Sequence, residues 1–310
     1  MFTAIDHLMI CTPDLARGAE TYRKLGFNVQ SGGVHPGKGT HNAIAFNDPD
    51  YLELLAIRDP AEERAAEAAA GSWGRDLSGF IAAGGGIRFV ILQSDDLAAD
   101  VAAMRGRGVE VSDVVDGRRA QGGQVFRWKA ATLGPKNPLP LFFIQHLTPM
   151  EERRKHTPGA GPHPNGVRFL ERAYIVVEDL AASVALYSKV LGVAEPRMYK
   201  GTVIMSHMAV FQFGPAGLTI AHPYAPGPAS DALTRRGPGP FQALFRTTGM
   251  SAAARWMQDH GMPPPAIGTR DTGEKAMLVS PADACGAYVG FVGRSSARET
   301  FGALPLSSSP

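Results

Sequence analysis

Two side chains able to ligate a metal or move a proton sit in runs that read as largely apolar strands: His7 in Ile5-Asp6-His7-Leu8-Met9-Ile10 and Glu53 in Tyr51-Leu52-Glu53-Leu54-Leu55. A buried carboxylate without a partner is costly, so Glu53 requires a cation, a proton or a hydrogen-bond donor. A metal ion, His7 or a substrate would each serve. Imidazole and carboxylate together suit Zn, Fe, Mn or Ni. Taken singly, His7 reads as a hydrogen-bonded structural histidine; its pairing with Glu53 is what points to a site. Arg88 carries a fork able to grip a substrate carboxylate through two parallel hydrogen bonds, and its plainer reading is a solvent-facing strand residue. His41 and Asn42 stand on a middle strand, and Trp73 and Trp128 are candidates for the mouth of a cleft.

These residues are carried by a segment that recurs. A short apolar strand, an Asp-Leu turn, an amphipathic helix and a Gly-apolar step run from Ile5 through Asp14-Leu15 to Gly26-Phe27. The series returns from Phe89 through Asp96-Leu97 to Gly108-Val109, and again from Ala173 through Asp179-Leu180 to Gly192-Val193. A fainter copy runs from Phe241 to His260-Gly261-Met262. Self-similarity of this kind means repeated supersecondary units. In the first unit the helix Leu15–Leu25 is followed by strand-like Phe27–Gln30, His41–Phe46 and Tyr51–Ile57, a βαβββ order, with His35-Pro36-Gly37-Lys38-Gly39 as a loop because Pro lacks a ladder donor and Gly favours turns. Gly84-Gly85-Gly86 precedes a strand, so it reads as a turn and not as a phosphate loop.

A βαβββ unit leaves a sheet edge exposed, so two must pair to close a cupped barrel around a cleft. The expected fold class is α+β, with four such modules paired into two cupped barrels. The expected layout is a first domain at 1–148 with a helical insertion at 59–85, a linker at 149–165, a second, degenerate domain at 166–294 and a frayed tail at 295–310. Carrying the repeat spacing forward makes Phe89, Arg172 and Gln242 the counterparts of His7. It matches Glu53 with Gln145, Thr219 and Val289. If Gln145 faces the cleft, strand alternation turns His146 away. Polar groups concentrate in the N-terminal pair, which is where the pocket is expected; the C-terminal cup should be filled or more apolar.

Charge is nearly balanced, with 31 Lys and Arg against 29 Asp and Glu, and no basic stripe invites a polyanion, so nucleic acid is not an expected partner. No run approaches the roughly 20 apolar residues of a membrane span, and the first residues lack a basic leader, which gives a cytoplasmic expectation with no membrane partner. Cys11 and Cys285 are the only cysteines, too few for a disulfide framework or thiolate metal ligation.

On these residues the chain resembles the vicinal oxygen chelate superfamily, and more closely its glyoxalase-like branch. The likeness rests on Asp6–Ile10, the Pro13-Asp14-Leu15 turn, the run Gly33–Ala43, Tyr51–Leu55 and Pro140–Gln145; it is good over about 1–147 and a degenerate echo over 170–292. It implies a cupped fold and a small-molecule ligand, while the reaction stays open, because fold does not fix function. The superfamily's metal site takes a first-strand His and a last-strand Glu from paired modules. The resemblance therefore implies His7 and Glu53 as metal ligands, with Gln145 in place of a second Glu and Phe89 in place of a second His. It implies His7 and Glu53 as the catalytic pair, with His41, Asn42, Arg88, Phe89, Trp128 and Gln145 against the substrate. Three readings follow: a metal-dependent lyase or isomerase acting on a small oxygen-rich substrate, a metal-free binding or sequestering protein, and an extradiol-type dioxygenase. The last needs two His and one carboxylate, with His41 as the second His. A homodimer is the expected assembly.

Overall fold

The computed structural model describes residues 1–70, 76–121, 123–157, 161–270 and 272–293. Trp73 and the tail from Ser295 lie outside them. The first module is β1 (Phe2–Cys11), α1 (Leu15–Lys24), β2 (Gln30–His35), β3 (Thr40–Phe46) and β4 (Tyr51–Ile57). After α2 (Pro60–Ala70) and α3 (Leu77–Ala82), the second is β5 (Gly86–Ser94), α4 (Leu97–Gly106), β6 (Val115–Gln121), β7 (Gln124–Thr132) and β8 (Leu141–His146). Then come α5 (Met150–Lys155) and the third module, β9 (Val167–Val176), α6 (Leu180–Leu191), β10 (Arg197–Gly201), β11 (Ser206–Phe213) and β12 (Ala216–Pro223). The fourth follows α7 (Pro228–Arg236): β13 (Gly239–Thr247), α8 (Met250–Asp259), β14 (Ala266–Thr269), β15 (Lys275–Val279) and β16 (Tyr288–Val292).

The expected α+β class is observed as two eight-stranded sheets, ordered β2-β3-β4-β1-β5-β8-β7-β6 and β10-β11-β12-β9-β13-β16-β15-β14. Within each module the first strand lies parallel to the last, which requires the helical crossover between them. Modules join in pairs by their first strands, β1 antiparallel to β5 and β9 antiparallel to β13.

The recurring Asp-Leu turn is a helix cap. Asp14, Asp96 and Asp179 accept hydrogen bonds from the backbone N–H of Arg17, Ala99 and Ala182, at 3.0, 3.1 and 2.9 Å, satisfying a donor that the first helical turn would otherwise leave orphaned. At the fourth turn Gly249 has no side chain to do this, which is why that copy is faint. The glycines that follow the helices have positive φ, +86° at Gly26 and +70° at Gly108 and Gly192. There a side chain would be strained. At Gly26 it would also strike Asn165, whose Cβ lies 2.6 Å from an added Cβ.

Two local expectations are corrected. The strand expected at Phe27–Gln30 runs instead from Gln30 to His35, so His35 stands on a strand and not in a loop. The segment 149–165 is no loose linker: it contains α5 and buries Arg153, Thr157, His163 and Asn165. One apolar cluster joins both halves, from Leu8, Leu25 and Phe27 to Phe211, Phe245 and Phe291. Among the described residues no helix is long and apolar enough to cross a membrane.

Candidate active site

Alternation along the strands of the first sheet separates its two faces. Leu8 and Ile10 enter the apolar core, whereas His7 and Met9 line a cavity of about 280 Å³. Neighbouring strands contribute every second residue to the same cavity: Asn42, Ile44 and Phe46 from β3, Tyr51 and Glu53 from β4, Phe126, Trp128 and Ala130 from β7. His35, Arg119 and Arg153 complete its lining.

His7 is the hub. Its Nδ1 lies 2.7 Å from Asp6 Oδ2 and its Nε2 lies 3.3 Å from Glu53 Oε2, while its ring stacks on Tyr51 with centroids 4.3 Å apart. A register shift between Ile5 and His7 accompanies this contact between consecutive residues of one strand, an irregularity of the kind that re-aims side chains beside sites. Glu53 Oε1 accepts from Asn42 Nδ2 at 2.5 Å and has His35 Nε2 at 3.8 Å. Asp6 is met from its other side by His146 Nε2 at 3.0 Å and Arg153 Nη2 at 4.0 Å.

These contacts set the charges. Burial works against ionising Asp6, but the charge and hydrogen bonds of His146 and His7 hold its carboxyl far below the ordinary carboxylate range. Glu53 is likewise penalised by burial and drawn down to about 2, chiefly by His7. Burial opposes the His7 charge too, and its bonds to Asp6 and Glu53 outweigh that and raise its pKa. Burial lowers the pKa of His35 and of His146 below the ordinary imidazole value. The cysteines are poor nucleophiles: burial pushes Cys11 up to about 12 and raises Cys285.

The expected site residues divide. His7, Glu53, Asn42 and Trp128 line the cavity; His41 does not, being one residue out of phase with Asn42. Gln145 is held elsewhere, its Oε1 accepting from Leu97 N–H at 3.2 Å and its Nε2 donating to Asp95 O at 2.6 Å, so it fixes the start of α4. His146 is the residue that turns inward. Register explains this. Met9 pairs with Glu53 and with Phe89, and Ile91 pairs with His7 and with Phe142. Exchanging the two modules therefore carries His7 to Phe89 and Glu53 to Phe142, not to Gln145. These two rings stack at 4.3 Å. Phe89 and Arg88 line a separate cleft, where the Arg88 guanidinium lies 4.9 Å from the Phe80 ring and 5.2 Å from the Phe89 ring.

The glyoxalase-like domain model matches residues 5–191. The chain belongs to the glyoxalase-like domain family. No curated protein matches it in sequence. A hypothetical protein from Staphylococcus aureus is similar over 94% of this chain and 99% of its own, at 14% identity and a TM-score of 0.64. A mutant of 4-hydroxymandelate synthase from Streptomyces coelicolor matches 96% of this chain and 94% of its own, at 14% identity and TM-score 0.62. A xylose isomerase-like TIM barrel/4-hydroxyphenylpyruvate dioxygenase fusion protein matches over 97% of this chain and 50% of its own, at 13% identity and TM-score 0.59. At these identities the likeness is one of fold.

The ligand set implied for a metal ion does not fit this glyoxalase-like chain. His7 and Glu53 are in place, and Asp6 steadies the imidazole as an outer carboxylate does for a metal-bound histidine. Their second-module counterparts are two phenylalanines, and Gln145 is engaged with α4. His35 approaches where His41 was expected, yet among the described residues no three His, Cys, Asp or Glu side chains are grouped to hold an ion. Asp6, His35, Arg119, His146 and Arg153 are the residues that sequence reasoning missed. Asp6 had a signal, a second charged residue in an apolar strand.

Proposed function

We propose that the first cup binds a small organic anion bearing oxygen beside an acidic C–H, and that His7 and Glu53 move a proton on it, as in a lyase or isomerase. The observation that carries this reading is an imidazole clasped between two buried carboxylates in a cavity, with Asp6 Oδ2 2.7 Å from its Nδ1 and Glu53 Oε2 3.3 Å from its Nε2. Charge favours an anion: Asp6 and Glu53 face His7, Arg119 and Arg153, and the buried Nε atoms of both arginines lack hydrogen-bond partners. Phe46, Phe126, Trp128 and Phe142 favour an apolar or aromatic body.

His7 in its protonated form donates toward a substrate oxygen, which stabilises charge building there. Glu53 accepts the carbon-bound proton. Its pKa of about 2 makes it a weak base while His7 holds it, and a substrate that separates the two relieves that hold and moves Glu53 toward the range where bases work well. Because the ligand set does not fit a metal ion, the steps here are those of the side chains alone.

Phenylpyruvate, an aromatic 2-oxo acid with exchangeable methylene protons, tests the reading. It should quench the fluorescence of Trp128, and in D2O its methylene protons should exchange faster than in buffer, an acceleration abolished by His7→Ala and Glu53→Gln. Binding without accelerated exchange supports the sequestering reading instead, and absence of binding overturns the anion. EDTA should change neither the exchange nor the unfolding temperature; loss of both would restore the metal-dependent reading, since an ion bound only by the folded state adds to stability.

A further inference from the structure

The second cup, expected to be filled or more apolar, contains a cavity of about 150 Å³. Three strands set their floor residues in one row, Thr219 on β12 beside Tyr174 on β9 beside Gln242 on β13. Register makes Thr219 the counterpart of Glu53 and Gln242 that of Phe89, so the position lost to a ring in the first cup carries an amide here. Repeat spacing matches Glu53 with Val289 as well; Val289 is fully buried in the core, and Gly290, paired with Leu244, stands at the counterpart of Phe142. Thr219 is 0% and Gln242 3% exposed. Thr219 Oγ1 and Gln242 Oε1 are each buried without a hydrogen-bond partner.

Buried polar atoms are nearly always paired, and two orphans facing one cavity are a vacancy of defined chemistry. Gln242 Oε1 can only accept; Thr219 Oγ1 donates or accepts. The walls are Met208, Val210, Leu244 and Met277. Charge is kept from the floor. Arg270 is engaged by Glu171 at 2.8 Å and Glu274 at 3.1 Å, and Arg172 donates to Gln212 Oε1 at 3.1 Å. Burial pushes the Tyr174 hydroxyl up to about 12, so it too is neutral.

From this geometry we infer that the second cup is a separate binding site for a small uncharged molecule with one hydroxyl group on an apolar body. The hydroxyl donates to Gln242 Oε1 and accepts from Thr219, and the body lies on the methionines and Leu244. A cavity of this size accommodates a single six-membered ring.

Phenol is the probe and toluene its control, measured by equilibrium dialysis on the full chain. Phenol should bind at least tenfold more tightly than toluene, because toluene leaves both polar atoms unpaired. Gln242→Leu should weaken phenol binding at least tenfold and raise the unfolding temperature of the phenol-free protein, since it removes an orphaned acceptor. Thr219→Val, nearly isosteric, should act in the same direction and serves if Gln242→Leu does not fold. His7→Ala, in the other cup, should leave phenol affinity unchanged. Equal binding of phenol and toluene, phenol affinity unchanged by both C-terminal variants, loss of binding on His7→Ala, or no saturable binding of phenol would each overturn the inference. None of these outcomes bears on the phenylpyruvate test of the first cup.

Discussion

His7 is held at both ring nitrogens by carboxylates that burial alone would protonate, so the three residues stand or fall together. The pH dependence follows from the directions of their shifts. His7 has a folded pKa above its ordinary 6.5, so its contribution to stability is complete below 6.5 and is lost as pH rises through the raised value. Glu53 has a folded pKa of about 2 against an ordinary 4.5, so its contribution is present above 4.5 and is lost as pH falls toward 2. The two windows overlap between 4.5 and 6.5, where the triad contributes most. Unfolding temperature against pH should therefore fall more steeply on either side of that window in the wild type than in Glu53→Gln. The substitution itself should cost about 1–3 kcal/mol near pH 6, since it leaves His7 with one carboxylate. An identical pH profile in the two proteins would mean that His7 is not the hub. His7 and Glu53 were legible because titratable groups interrupt apolar strands. Gln145 misled because a one-residue difference in phase reverses which face a side chain occupies, and spacing alone does not fix the register of β8. Arg153 was invisible for another reason, since it reaches the cavity from a segment that composition marks as linker.

At the scale of elements, the repeat was readable because capping chemistry is strict. An Asp before each of α1, α4 and α6 accepts the same backbone donor three residues on, and a glycine after the helix takes the positive φ. Asp96→Ala should cost about 1 kcal/mol, as loss of an N-cap does. The fourth module offers the reverse experiment. Gly249 has φ −157°, an extended conformation open to any residue, and an added Cβ would have Ala252 Cβ at 3.7 Å, an ordinary contact. Gly249→Asp should therefore stabilise by a few tenths of a kcal/mol, measured by urea unfolding with an unchanged slope. A destabilised Gly249→Asp would show that the α8 turn is constrained by something other than its missing cap. The strand β2 was displaced in the sequence reading because Gly32 and Gly33 carry no pattern. Its course is fixed instead by Asn42, whose Oδ1 accepts from Gly33 N–H at 2.9 Å while its Nδ2 reaches Glu53.

At the scale of the molecule, the two cups are sealed back to back by one apolar core, and the division at 1–148 and 166–294 is proposed as a boundary of topology, not of folding. Phe27, from the first half, has its ring 5.1 Å from that of Phe245 and 6.0 Å from that of Phe291, both in the second. Polar contacts cross as well: Leu170 N–H donates to Asp50 Oδ2 at 2.8 Å, and the Arg107 side chain donates to Lys189 O and Val190 O at 2.7 and 2.9 Å. Repeat counting could not foresee this, because it pairs modules within a sheet and says nothing of which face each sheet turns to the other. Two halves that share a core cannot expose it one at a time without exposing both. Unfolding should thus be a single transition, with fluorescence and circular dichroism giving coincident curves. Phe27→Ala should lower stability by about 3–5 kcal/mol, the cost of a large cavity in a packed interior, and should do so without splitting that transition. Two resolved transitions, with Phe27→Ala shifting only the one that belongs to the first sheet, would mean that each half carries a sufficient core of its own and that the buried segment 149–165 is a tether after all.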